Sequence, residues 1–132
     1  CRAIDGTMGV HMYAYDYQLI RLWNHPQKYM DVLRKAGCVM ACDFSMYTDT
    51  PIALNIYNHY RKHWLAAYWQ RNGVSVIPTI CWADDATFDW CFDGEPVGGT
   101  IAVSSRKGEG TCFTIRLPIP EGEAHESDDS HS

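Results

Sequence analysis

Three apolar runs, separated by helix-length stretches of mixed polarity, organise the chain. VHMYAY (10–15) is aromatic and apolar and reads as a strand. It ends on Asp16, a good helix N-cap, and YQLIRLWN behind it has Leu19, Ile20, Leu22 and Trp23 at helical spacing. Pro26 sits badly inside that helix but well at the first position of a second one, QKYMDVLRKA (27–36), which Gly37 would end as a left-handed cap. CVMAC (38–42) is apolar on both faces, as a strand covered by helices on both sides must be, and Asp43, Phe44 and Ser45 follow it. Thr50 as cap and Pro51 as first residue open a long helix that Gly73 stops. On a helical wheel Ala53, Ile56, Tyr57, Tyr60, Trp64, Ala67 and Tyr68 gather on one broad face, predicted to be buried. Asn55, His59, Lys62, Ala66 and Gln70 form the expected solvent stripe. VSVIPTICW (74–82) is the third strand, with Pro78 marking a bulge or a missing ladder bond.

This order predicts an α/β fold, a small parallel sheet with helical crossovers in the sequence β-α-β-α-β. Parallel strands joined by right-handed crossovers bring Asp16, Asp43 and the run Trp82, Ala83, Asp84, Asp85 out along one edge of the sheet. Residues 88–94 are aromatic and turn-rich. TIAVSS and TCFTIRLP alternate in strand fashion, and the short RKGEG between them suits a C-terminal β-hairpin. Beyond Pro118 and Pro120 the acidic, Ser-rich remainder (119–132) is too polar to pack and is expected to be a disordered acidic tail.

Length and charge narrow the picture further. A chain of 132 residues supports one core. Its net charge of -5 lies in the tail: of 16 acidic residues five fall in 121–132, which has no Lys or Arg, leaving eleven to balance the eleven Lys and Arg of the body. A neutral body lacks the basic stripe of a nucleic-acid module, so no strong nucleic-acid signal is present and the partners stay unknown. Six cysteines resemble a disulfide framework by count alone. Cys38, Cys42 and Cys81 lie in apolar strand runs where Cys behaves as a small hydrophobe, and no pair has zinc-type spacing, so reduced thiols are expected. No signal peptide or membrane span is visible, and a cytoplasmic location is the expectation. The chain opens on Cys, and its first strand-like run comes only at Val10, which suggests a piece of a longer product.

Two resemblances follow from motifs. The pattern WNxPxxY at 23–29, DFSxYxDxP at 43–51, NxYRxxWxxxYWQ at 58–70, GxxVIPTxxW at 73–82 and CFDG at 91–94 resembles a family of domains of unknown function carried by phages and prophages. That likeness covers residues 10–104 and implies a phage-family α/β domain over 1–104, incomplete at its N-terminus, without naming a reaction. Residues 98–118, GGxIxVxSxxGxGTxFxIxLP, also resemble the last hairpin of sensor histidine-kinase ATPase domains. The Asn-bearing helix and DxGxG loop with which such kinases hold ATP have no counterpart upstream, so this second likeness implies a fusion or junction near 98–104. Gly108 and Gly110 then read as turn glycines.

The candidate site is the sheet edge. Open α/β sheets bind ligands beyond the C-terminal ends of their strands, where Asp16 and Asp43 would lie. Two carboxylates there could hold a divalent cation or divide acid and base roles, though each could equally cap a helix or turn. No cofactor is otherwise predicted. Arg61 falls within the apolar sector of the long helix, one turn from Asn58, and must meet an acid, a carbonyl or a ligand anion. Trp82 with Asp84 could stack on and orient a planar or sugar-like ligand, against the plainer reading of rim packing. His59 and His63 share a helical spacing but read as surface residues. The ligand-binding set is therefore Asp16, Asp43, Ser45, Asn58, Arg61, Trp82 and Asp84. Catalysis is left open, beside two alternatives: a non-catalytic interaction module and a remnant of a kinase ATP-binding domain.

Overall fold

The structure, a computed structural model, describes residues 5–95, 98–105 and 111–116, with Ser104, Ser105 and 111–116 described by backbone alone. Its elements are β1 (Gly9–Val10), α1 (Asp16–Asn24), α2 (Met30–Leu33), β2 (Cys38–Met40), α3 (Ile52–Arg71), β3 (Val76–Ile77), β4 (Thr79–Ile80), α4 (Asp85–Phe88), β5 (Thr100–Ser105) and β6 (Thr111–Arg116). The tail 119–132, the loop with Gly108 and Gly110, and Cys1 lie outside the described residues.

Strands β1, β2 and β3 lie side by side and parallel, with Val10 opposite Val39 and Met40 opposite Ile77. Small parallel strands with helical crossovers are thus present, but the ladders are two or three residues long where longer ones were expected. VSVIPTICW changes partner at its proline. Ser75 and Ile77 turn their carbonyls to the amides of Val39 and Ala41, while the Pro78 carbonyl accepts from Ala102 on the opposite side. From Thr79 the strand pairs with β5, parallel, and β5 pairs with β6 as the predicted antiparallel hairpin, Ile101 opposite Ile115. The result is two three-stranded sheets joined through Pro78. Where a ladder bond would continue, the Thr79 hydroxyl donates to the Ala41 carbonyl at 3.0 Å.

The core has two parts. Leu19, Leu33, Val39, Phe44, Leu65, Trp69 and Val74 pack together between the helices and the first sheet. Ile80, Cys91, Ile101 and Val103 close beneath the second. Side chains of this size stabilise by about 1.5–3 kcal/mol each when fully buried.

Several local expectations are corrected. Tyr15, not Asp16, is the N-cap of α1, which frees the Asp16 carboxylate for another role. Pro51, not Thr50, is the N-cap of α3, and the Thr50 hydroxyl is buried without a hydrogen bond. Residues 27–36 form turns around the single helical turn α2 rather than a full helix. Gly37 does not adopt positive φ; a Cβ there would collide with the Gly6 carbonyl, and its amide donates to Met8 at 2.9 Å. Gly37 is thus required by close approach of two backbones. Gly73, with φ 87°, does end α3 in the left-handed region.

The largest correction concerns α3. Its buried residues are Asn55, Asn58, Arg61, Lys62, Leu65 and Trp69, while Ile56, Tyr57, Tyr60 and Trp64 are exposed. The wheel face predicted to be buried is outside, and two members of the predicted solvent stripe are inside. Trp23 partly shelters the exposed rings, meeting Tyr57, Tyr60 and Trp64 edge-on at 5.4–6.2 Å between centroids.

Candidate functional site

Beyond the C-terminal end of β2 the chain runs irregularly from Asp43 to Asp49 before α3 begins. Irregular backbone has no ladder to satisfy its polar groups, so side chains must do it. Three do so here. Asp16, at the start of α1, accepts from both the amide and the hydroxyl of Ser45, at 3.1 and 3.0 Å. Asn58 donates its amide to the Ser45 carbonyl at 2.6 Å. Asn55 brackets Tyr47, accepting from its amide at 3.0 Å and donating to its carbonyl at 2.7 Å.

Arg61 supports this clamp from beneath. Its guanidinium donates to the Asn58 side-chain oxygen, and its carbon centre lies 4.2 Å from the Phe44 ring centroid and 4.7 Å from that of Tyr57. Two aromatic faces and a side-chain amide thus surround the buried Arg61 cation, contacts that the sequence reading, which looked for an acid, a backbone carbonyl or a ligand anion, did not name.

The clamped segment lines a pocket of about 460 Å³ with Asp43, Ser45, Tyr47, Asp49, Cys81 and Trp82 on its walls. Asp43 is 3 % exposed, whereas Trp82 is 43 % exposed at the rim, its ring edge-on to Phe88 at 5.3 Å. Cys81 contacts the Phe44 carbonyl through sulfur at 3.7 Å. Burial pushes its thiol up to about 12, against the pull of Lys62 and with help from Asp43. Burial does the same to Cys42, also to about 12, reinforced by Asp43 and opposed by Arg61. Neither sulfur is a thiolate at neutral pH, so neither is a ready nucleophile. The described cysteines, Cys38, Cys42, Cys81 and Cys91, are free.

The structure brings Asp16, Asp43, Ser45, Asn58, Arg61 and Trp82 to one end of the strands. Asp84 is used differently: its carboxylate caps α4, accepting from the Thr87 amide at 2.9 Å. Among the described residues no group of three His, Cys, Asp or Glu side chains is arranged to hold a metal ion. No helix among them is long and apolar enough to cross a membrane.

Sequence reasoning missed Asn55, Lys62 and Glu95. Lys62 is 2 % exposed, donates to the Thr79 carbonyl at 2.6 Å and lies 3.7 Å from Glu95. His59 and His63 are half-buried rather than surface residues, their ring centroids 4.2 Å apart. Burial, then the charges of Lys62 and His63, push His59 down to about 4. A signal was available: positions 55, 58, 62, 65 and 69 recur at alternating three- and four-residue steps, the spacing of a single buried stripe.

The pattern of motifs and this geometry can be set beside known proteins. The model of a domain of unknown function (DUF4417) matches residues 1–112. The chain belongs to this family. It is 44% identical over 96 residues to the Gene 1 protein of Mycobacterium phage L5, an alignment covering 73% of this chain and 42% of that protein. It is 42% identical over 103 residues to the Gene 1 protein of Mycobacterium phage D29, covering 78% and 38%. The chain thus spans about two fifths of the length of the curated relatives it matches. No solved structure matches it. The phage association expected from the DFSxYxDxP and VIPTxxW motifs therefore holds for this DUF4417 domain.

Proposed function

We propose that the pocket beyond β2 and β4 binds a small polar ligand, contacted by Asp43, Ser45 and Trp82 and held in shape by Asp16, Asn58 and Arg61. The observation that carries this reading is the clamp on residues 45–47. Burying Asn55, Asn58 and Arg61 is costly, and a fold that only had to link a strand to a helix would bury apolar side chains there. Fixed irregular backbone beside an exposed tryptophan is what a binding site needs before its ligand arrives. Asp43 and Asp49 repel anions, and Arg61 is turned to Asn58 and two rings rather than to the pocket wall. The ligand class is then neutral or cationic and rich in hydroxyl or N–H donors, with a flat or ring-shaped body to lie on Trp82. A divalent cation is an alternative occupant through Asp43 and Asp49, and the same experiment covers it.

Ligand-observed and amide NMR titrations with monosaccharides, nucleosides and magnesium test the proposal. Shifts should concentrate at residues 43–49 and 81–83, and Asp43→Asn and Trp82→Ala should each weaken them. Uniformly silent titrations across those classes would leave the clamp a purely structural device.

A second reading, a non-catalytic interaction module, is favoured by the exposed aromatic face of α3 carrying Tyr57, Tyr60 and Trp64. It predicts that Tyr60→Ser with Trp64→Ser abolishes association with partner polypeptide while leaving the pocket titrations unchanged.

A further inference from the structure

Thr87 and Cys91 are buried, whereas Phe88 and Phe92, the residue after each, are 45% and 41% exposed. A hydroxyl thus sits inside and two large rings outside, the reverse of what burial of apolar area alone would select. The arrangement is held from within. The Thr87 hydroxyl accepts from the Ala83 amide at 2.8 Å, and Trp90 meets the His59 ring edge-on at 5.2 Å. Phe88 stands edge-on to Trp82 at 5.3 Å and to Phe92 at 5.6 Å. Three exposed rings therefore form one row that starts at the rim of the Asp43 pocket and leads away from it.

Carboxylates flank the row. Asp85 opens α4, Asp89 follows Phe88 and Asp93 follows Phe92, and all three are exposed. Among the described residues none of them has an ion-pair partner. The chain has no Lys or Arg from 72 to 105, so nothing along this stretch offsets their charge. Such a field repels nucleic-acid phosphates and anionic lipid headgroups and attracts a cationic polypeptide. Arginine suits the row better than lysine, because a planar guanidinium can lie on a ring face and still turn its N–H fork to a carboxylate beside it.

We propose that Trp82, Phe88 and Phe92, with Asp85, Asp89 and Asp93, form a docking surface for an arginine-rich segment of a partner protein. The surface shares only Trp82 with the pocket beyond β2 and is a different face from the aromatic side of α3. It stands whether or not that pocket takes a small ligand.

Hexa-arginine and hexa-lysine are suitable probes, in amide NMR titrations of the full chain. Hexa-arginine should shift residues 84–93 saturably and bind about fivefold or more tightly than hexa-lysine. Phe88→Leu with Phe92→Leu keeps apolar bulk but removes the rings; it should weaken hexa-arginine about fivefold and bring the two probes level. Should that pair fail to give a native spectrum, Phe92→Leu alone is the substitute, with an expected loss of about twofold. Asp85→Asn with Asp89→Asn, both outside the core, should weaken both probes about threefold or more. No saturable hexa-arginine shifts at 84–93, equal binding of the two peptides to the wild-type chain, or undiminished binding to a folded leucine variant would each overturn the proposal. Tighter binding of a neutral sugar chain, cellohexaose, at the same residues would overturn it as well.

Discussion

From Asn55 to Lys62, α3 turns amides and cations inward, whereas at Leu65 and Trp69 it turns inward only apolar bulk, although all lie on one buried stripe. The difference lies in what each half faces. The first half meets the irregular backbone of residues 43–49 and the Thr79 carbonyl, which need hydrogen-bond donors and acceptors. The second meets Val39, Phe44 and Val74, which need contact area. Helix geometry fixes which positions are buried, and the neighbour fixes the chemistry that burial requires.

Substitutions can break this contrast in order of size. Trp69→Ala should cost about 3–5 kcal/mol in chemical denaturation, since it empties a fully buried site in the apolar half. Arg61→Ala should cost about 2–3 kcal/mol, by opening a gap between Phe44 and Tyr57 and stripping the Asn58 oxygen of its donor. Arg61→Leu should be tolerated better, because it refills the space; a larger loss for leucine than for alanine would contradict a structural role for the guanidinium.

Asn55→Ala should cost about 1–3 kcal/mol and loosen the Tyr47 amide, read as faster hydrogen exchange there, while Trp69→Ala should accelerate exchange throughout the core. Acid sharpens the comparison further. His59 is held neutral in the folded chain, near 4 against an unfolded value of 6.5, so the unfolded chain takes up its proton first. Stability from this residue is complete above about pH 6.5 and is lost as pH falls toward 4. Thermal melts should therefore decline across that window in the wild type and less in His59→Gln. The smallest effect belongs to Ile56→Ser, within about 0.5 kcal/mol, because Ile56 is exposed despite its hydrophobicity.

The strand order and the convergence of Asp16, Asp43, Ser45 and Trp82 were legible because apolar runs and their polar ends are local signals. Arg61 is buried as expected but not for the expected reason: the apolar sector that placed it inside is exposed at Leu54, Ile56 and Tyr57, and Arg61 lies instead on the buried stripe with Asn58 and Lys62. The orientation of α3 was not legible. A hydrophobicity wheel ranks Tyr60, Trp64 and Ile56 above Asn55 and Lys62, yet hydrogen bonds that depend on distant backbone reverse the ranking. Gly37 was misread for a similar reason. Its need is space beside Gly6, which only tertiary structure reveals.

Pro78 works as a key cut for a single lock. Residues 75 and 77 face β2 and residue 78 faces β5, so the missing N–H of the proline points to the second sheet. A slip of one residue would swing that blank side toward β2, deprive a carbonyl there of its donor, and carry the Thr79 hydroxyl away from Ala41. Both sheets are thereby indexed to each other by one imino acid. The pocket walled by the segments that follow β2 and β4 inherits that indexing.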